Sequence, residues 1–362
     1  MYEIIHLFII IHSMEKLYVG VDWHKRTSTW VAINEARRQV YERSWGCTPE
    51  DVHAAISSLP AAPEQMVLGV EPVCGWRWMT QLCADRGIRD VRVANPKRLR
   101  EIAETAKKTD KNDAHTIAEL LRMDYLPCAY RASDEVYALR LLARQRTFFT
   151  RLGIATKCRI HGVCTALGAT QTAERPLHKA GRIAISNGSN EELREMYALM
   201  DEIAARKERI ERKIAGVVGD TQLYRIVSSI PGIGPVTGAA IIAEAGDFAR
   251  FHAPSSLISY AGLYPRERSS GGAQRLGGMS KEGSRTLRYA IIEAAMRVRD
   301  TERSRNLYTH YDAARNRRKK TPKQARVVLA HKMLTILWYL VGRGVCYDDR
   351  AVKPAQREMT SS

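Results

Sequence analysis

Four acidic residues in the first third of the chain stand where metal chemistry can use them: Asp22, Glu71, Asp110 and Asp113. Asp22 closes the alternating run that starts at Leu17, with its side chain on the face opposite Val19 and Val21. Glu71 directly follows the apolar run Val67–Val70. Asp110 and Asp113 sit three apart at a helix start in the string KKTDKNDAH, so both project from one helix face. In a sheet whose first and fourth strands are neighbours, those strand ends lie beside that helix. Oxygens from three elements then suit two hard cations such as Mg²⁺ or Mn²⁺. A cation pair about 4 Å apart activates the attacking oxygen and stabilises the leaving one in phosphodiester cleavage. Each acid also has a structural reading. Asp110 can cap a helix, Asp113 can be a first-turn acid favoured by the helix dipole, and Asp22 can begin a turn. An acid at the exit of an apolar strand is harder to dismiss, because burying it unpaired is costly.

A candidate nucleophile lies further along. Ser269-Ser270-Gly271-Gly272 sits in a Gly/Ser-rich loop followed by Arg275, Lys281, Arg285 and Arg288. A serine hydroxyl attacks a phosphodiester where neighbouring cations stabilise the pentavalent state, although most Ser/Gly loops are only loops. Between two helical stretches, Ile230–Pro235 has the look of a helix-hairpin-helix element. Its Gly232 and Gly234 let the backbone approach a DNA phosphate, and the next helix start offers free N–H groups. Such contacts bind without reading sequence. The same Gly/Pro turn also serves as a plain connection between helices.

Composition fits a phosphate polymer as partner. The 362 residues carry 57 Lys+Arg against 39 Asp+Glu, a net +18, more than a small acidic substrate requires. An apolar content of 45% excludes global disorder, and no apolar run reaches the roughly 18 residues of a membrane span. Seven scattered cysteines without a CxxC pair exclude a zinc ribbon and point to a reduced, cytoplasmic chain. Residues 1–13, MYEIIHLFIIIHS, lack a basic n-region and a small-residue cleavage site; they read as an upstream extension, with Met14 the better start.

The elements that must position these groups follow from periodicity. Strands are predicted at 17–22, 27–33 and 39–45, a helix from Pro49 to Ser58 and a strand at Gln65–Val70. A helix at Trp76–Arg86, a strand at Val91–Ala94 and helices at Leu99–Lys107 and from residue 109 or 110 complete a mixed α/β sheet domain over 14–130. After Pro127 the strand signals stop. A basic helix over Val136–Thr165, a polar stretch Gln171–Asn190 and an a/d seam make a helical spacer over 131–222. The seam runs through Leu193, Met196, Met200, Ile203, Lys207, Ile210, Ile214 and Val217, and fits a helical hairpin, a dimer contact or a helix packed on its own domain. A mostly helical domain spans 223–345, with helices at Thr286–Val298 and Ala325–Val341, and a polar, frayed tail closes the chain at 346–362.

Taken together, LYVGVDWHK, GVEPVCGW and AKKTDKNDAHTIAEL resemble the RuvC-like (RNase H-like) DEDD domain of the insertion-sequence 110 transposases. The stretches IPGIGPVTGAAIIAEAGDFARF, AGLYPRERSSGG and LGGMSKEGSRTLRYAIIEAA resemble that family's C-terminal transposase domain. The resemblance covers roughly residues 16–300, and all four acidic positions are filled. It implies a site-specific DNA recombinase that moves its own element, guided by a structured bridge RNA that pairs with donor and target DNA. It assigns metal binding, with two ions, to Asp22, Glu71, Asp110 and Asp113, and the nucleophile to the serine before Gly-Gly, Ser270, with Ser269 the alternative register. It further implies a covalent serine–DNA intermediate in a site shared between subunits, and a homodimer pairing into a tetramer on the nucleoid. Two other readings stand beside it: a RuvC-like junction nuclease that hydrolyses DNA with water, and a non-catalytic DNA- or RNA-binding protein whose acids are structural.

Overall fold

The computed structural model describes residues 15–102, 110–168, 177, 190–267 and 276–353. The proposed extension 1–13, the end of the expected helix Leu99–Lys107 and nearly all of the polar stretch Gln171–Asn190 lie outside the described residues. The chain divides into two compact units at Arg131/Ala132.

The first unit is a mixed α/β sheet. Strands β1 (Leu17–Trp23), β2 (Thr27–Ile33), β3 (Gln39–Gly46), β4 (Met66–Val70) and β5 (Asp90–Val93) lie in the order β3-β2-β1-β4-β5. β1 runs antiparallel to β2 and parallel to β4, which is parallel to β5. The first and fourth strands are therefore neighbours. On one face Val19, Val21, Trp23, Trp30, Leu68 and Val70 form a buried core with residues of helices α1 (Pro49–Ser58) and α2 (Trp76–Asp85). Burying each such side chain stabilises the unit by about 1.5–3 kcal/mol. α1 starts cleanly because Thr48 and Asp51 form a capping box and Pro49 occupies the first turn.

Short helix α3 (Pro96–Ile102) precedes α4 (Asp110–Arg122), which covers the other sheet face. Here the strands carry glycine where α4 crosses them. A Cβ on Gly20 would fall 1.9 Å from the Ala114 carbonyl oxygen, and one on Gly69 would fall 2.7 Å from Ile117. The missing side chains let the helix backbone ride directly on β1.

In the second unit, α5 (Asp134–Ala166) and α6 (Glu191–Val218) pack as a helical hairpin, with Ile160, Val163 and Cys164 against Leu193 and Tyr197. The ion pairs Arg146–Glu211 and Arg159–Glu192 show the two helices running antiparallel. Leu193, Ile203, Ile210 and Ile214 are buried as the seam predicts, but Val217 is 51% exposed and Val218 and Tyr197 take the inward positions. A straight helix at 3.6 residues per turn drifts off a strict seven-residue repeat, and that drift moves the seam by one residue.

The remainder is helical: α7 (Gln222–Ser229), α8 (Pro235–Ala245), α9 (Pro254–Tyr260), a short hairpin β6 (Pro265–Glu267) and β7 (Leu276–Met279), α10 (Arg285–Arg297), α11 (Arg305–Asp312) and α12 (Pro322–Arg343). By length and composition α12 could cross a membrane. Its Ala325, Leu329, Met333, Leu334 and Leu337 instead join the buried core with α8 and α10, and the Trp338 indole donates to the Phe251 carbonyl. The tail departs from the expected fraying as far as Lys353. Asp349 is buried, accepts hydrogen bonds from the backbone N–H groups of Asn306 and Leu307 at the start of α11, and receives the Tyr347 hydroxyl. Those free helix-start donors give a polar segment a reason to dock.

Candidate active site

The first site follows from strand register. The last paired residues of β1 and β4 are Val21 and Val70, so Asp22 and Glu71 are the next positions on two adjacent parallel strands. Both continue the register of Gly20 and Gly69, the face that α4 covers. Because α4 sits against Gly20 through Ala114, its first turn, with Asp110 and Asp113, reaches the end of β1.

The structure brings Asp22 and Asp110 together through a residue the sequence reading passed over, His24. The His24 Nε2 lies 3.1 Å from Asp22 Oδ2 and 3.6 Å from Asp110 Oδ1. Ligand atoms of these three residues all lie within 4.8 Å of one another. Asp113 stands near enough for its charge to act on Asp22. Glu71 is half-buried at the end of β4, and neither it nor Asp113 belongs to that closest donor group among the described residues. A signal for His24 existed: it stands two residues after Asp22, just past the end of β1, where its ring can reach that carboxylate.

Electrostatics make this pocket short of positive charge. Burial raises the Asp22 carboxyl from 3.8 to about 6; His24 pulls it down, while Asp110 and Asp113 push it up. Asp22 is only 5% exposed, so its charged form lacks water as well as a full counter-charge. A divalent cation would supply what is missing, and acid-rich donors at these separations fit a hard or borderline ion. The residues present therefore fit a metal.

The second site belongs to the other unit. Ser269, Ser270 and Arg275 lie outside the described residues; the strands on either side of them form a paired base. β6 and β7 pair antiparallel, with Pro265 opposite Met279 and Glu267 opposite Leu276. Below them the chain is sewn together by Ser280 N–H to Tyr264 O, Lys281 N–H to Gly262 O and Ser284 N–H to Tyr260 O. Glu244 of α8, fully buried, lies beneath this base. It accepts from Arg144 Nε at 2.7 Å and Nη2 at 3.2 Å, and from the Ser284 hydroxyl at 2.9 Å. Ser284 in turn caps α10. Glu244 is another residue the sequence reading missed. An acid inside the apolar string AAIIAEA has to be buried and therefore paired.

Of the basic residues expected to touch nucleic acid, Lys281 and Arg285 are exposed, whereas Arg288 is half-buried and donates to the Ala261 carbonyl at 3.0 Å. Burial, with the Arg285 charge, lowers the Arg288 pKa. The turn at Gly232 also has a packing reason: its φ is +87°, and a Cβ there would fall 2.3 Å from the Ala294 carbonyl of α10. Gly234, by contrast, has open space around it and forms the N-cap of α8. Beside them a cleft of about 380 Å³ is lined by Ser228, Gly232, Arg297, Arg299 and Arg303 among others.

Comparison with known proteins agrees across both units. Residues 19–167 match the IS110 DEDD transposase family, and residues 224–309 match the family described as transposase IS116/IS110/IS902. The chain is 30% identical to a probable family 20 transposase of Pseudomonas aeruginosa over 262 residues, covering 66% of this chain and 75% of that protein. It is also 30% identical to the transposase for insertion sequence element IS1111A of Coxiella burnetii, covering 67% and 69%. A pilin gene-inverting protein of Moraxella bovis is 24% identical over 93% of this chain and 99% of its own length. Two matches in chain order and relatives covered over most of their length place this protein in the IS110 family of insertion-sequence transposases.

Proposed function

We propose that this protein is a site-specific recombinase that cuts and rejoins DNA with a serine nucleophile assisted by divalent cations. The observation that carries the reading is the meeting of Asp22 and Asp110 at the end of β1, where burial and neighbouring acids push a carboxyl up despite its contact with His24. In this reading the first unit is an RNase H-like (RuvC-like) domain, and Asp22, Glu71, Asp110 and Asp113 hold two Mg²⁺ or Mn²⁺ ions. The cations, when bound, supply charge stabilisation to the pentavalent phosphorus.

Ser270, or Ser269 in the other register, attacks the phosphorus; the new O–P bond replaces the bond to a deoxyribose oxygen, which leaves and takes a proton. Attack by a deoxyribose hydroxyl of the exchanged strand reverses the step, so no phosphodiester energy is lost. Gly234, Lys281 and Arg285 contact the DNA backbone, with Gly232 shaping the helix-hairpin-helix turn and Arg275 and Arg288 flanking the serine loop. The α5–α6 hairpin serves as a spacer in a homodimer that pairs into a tetramer, and a bridge RNA selects the donor and target DNA. The +18 charge supports two polyanionic partners, and the IS110 membership supports DNA as one of them. The work takes place on DNA in the cytoplasm.

The decisive test traps a protein–DNA adduct and maps it by mass spectrometry. An adduct on Ser270 that disappears in Ser270→Ala, with strand exchange lost, is the expected result. Full strand cleavage by Ser270→Ala would instead make the protein a junction nuclease that uses water. Unchanged recombination by Asp22→Asn would leave the acids a structural role only.

A further inference from the structure

We infer that His24 is itself a ligand of the cation at Asp22 and Asp110, and that its imidazole biases the site toward Mn²⁺ over Mg²⁺. The inference rests on the metal-site reading above and adds to it a nitrogen donor from outside the four acids. Geometry is the first support. Adjacent donors of an octahedral ion, each about 2.1 Å from the metal, lie about 3.0 Å apart. The Nε2 of His24 stands 3.1 Å from one carboxylate oxygen and 3.6 Å from the other, so small rotations of the side chains bring all three onto one face of an octahedron.

The backbone is the second support. His24 opens the tight turn between β1 and β2, where its N–H donates to the Thr27 carbonyl at 2.9 Å. Its own carbonyl accepts from the Cys47 thiol at 3.3 Å. Both backbone polar groups are thus tied down, and the imidazole leaves a fixed point rather than a mobile loop tip. A single hydrogen bond to Asp22 would need only one carboxylate in reach; a position close to two acids from different elements is what a shared cation requires. The ring remains 49% exposed, which leaves one side open to water and to a phosphate oxygen.

The chemistry sets the preference. Mg²⁺ holds to oxygen and to its own waters, whereas imidazole is a favourable donor for transition-series ions. An all-carboxylate site discriminates poorly between Mg²⁺ and Mn²⁺; adding one imidazole favours the latter.

The test uses the full-length protein and Mn²⁺ alone as probe. Pulsed electron paramagnetic resonance of the Mn²⁺-loaded protein is expected to show nitrogen modulation that changes character when histidine is supplied as the ¹⁵N isotope. His24→Gln is expected to keep bound Mn²⁺ without that modulation, and to lower by about tenfold the Mg²⁺ excess needed to displace Mn²⁺. His24→Asn serves as a second variant, with circular dichroism showing that both remain folded. Bound Mn²⁺ that is lost in Asp22→Asn but shows no histidine nitrogen in the wild type would overturn the role of His24 and leave the metal site standing. Failure of the wild type to take up Mn²⁺ at all would overturn both.

Discussion

Replacing Asp22 by Asn should make the cation-free protein more stable while removing its capacity to hold a metal. Its carboxyl is pushed from 3.8 to about 6, so folding costs the charged form about two pKa units. At about 1.4 kcal/mol per unit, that is about 3 kcal/mol at neutral pH. The sign follows from the direction of the shift. A carboxyl whose folded pKa is raised binds its proton more tightly when folded, so its contribution is intact below pH 3.8. That contribution is lost as the pH rises through about 6 and stays lost above it. Asn keeps the shape and cannot ionise, so Asp22→Asn should gain about 2–3 kcal/mol at pH 7.5 in chelator. The two proteins should converge near pH 4. Mn²⁺ should stabilise the wild type in proportion to the logarithm of its concentration and leave the variant unmoved. Urea unfolding followed by tryptophan fluorescence reads this unit well, because Trp23, Trp30, Trp45, Trp76 and Trp78 all lie in it and only Trp338 lies in the other. A variant no more stable than the wild type at pH 7.5, or a difference that does not change between pH 4 and 7, would refute the reasoning.

Two further predictions concern the second unit. Arg144→Ala leaves the fully buried Glu244 carboxylate without its charged partner and should cost about 3–5 kcal/mol, whereas Glu244→Gln, with Arg144 half in solvent, should cost clearly less; hydrogen exchange of α8 and α10 peptides measures both. Burial, with Lys332 and Arg318 nearby, lowers the His310 pKa from 6.5, more than its contact with the Lys353 carbonyl raises it. Its stabilising contribution is therefore complete above pH 6.5 and lost as the pH falls through the lower folded value, and His310→Gln should flatten that acid limb in thermal unfolding of the same unit.

Much of the fold was legible because one-sided burial writes a period into the chain. The run from Leu17 to Asp22 alternates because Val19 and Val21 face the core while Gly20 and Asp22 face α4. That Asp22 and Glu71 follow neighbouring strands depends on β1 lying beside β4, which the alternation alone does not dictate. What stayed hidden depends on contacts between distant segments. The acid Asp349 reads as tail polarity until the donors at the start of α11 come to meet it. His24 reads as turn chemistry until Asp110, far along the chain, arrives from the other side. Glu244 was discoverable by the argument applied to Glu71, since an acid in an apolar helix needs a partner, but nothing local names Arg144.

The glycines connect the two kinds of information. Gly20 and Gly69 weaken the strands that contain them, by entropy and by leaving no side chain to pack. Their benefit appears only on the far face, where α4 comes close enough to set Asp110 within reach of Asp22 and His24. The acids supply the charge, and the two missing side chains supply the distance. A chain with all four acids and alanine at position 20 would carry the same motif, yet the added Cβ would lie 1.9 Å from the Ala114 carbonyl. α4 would have to lift, and Asp110 would move with it. The spacing of acids along the sequence is therefore not sufficient to gather them; the close approach of helix to strand is the physical condition that brings Asp110 within reach of Asp22 and His24.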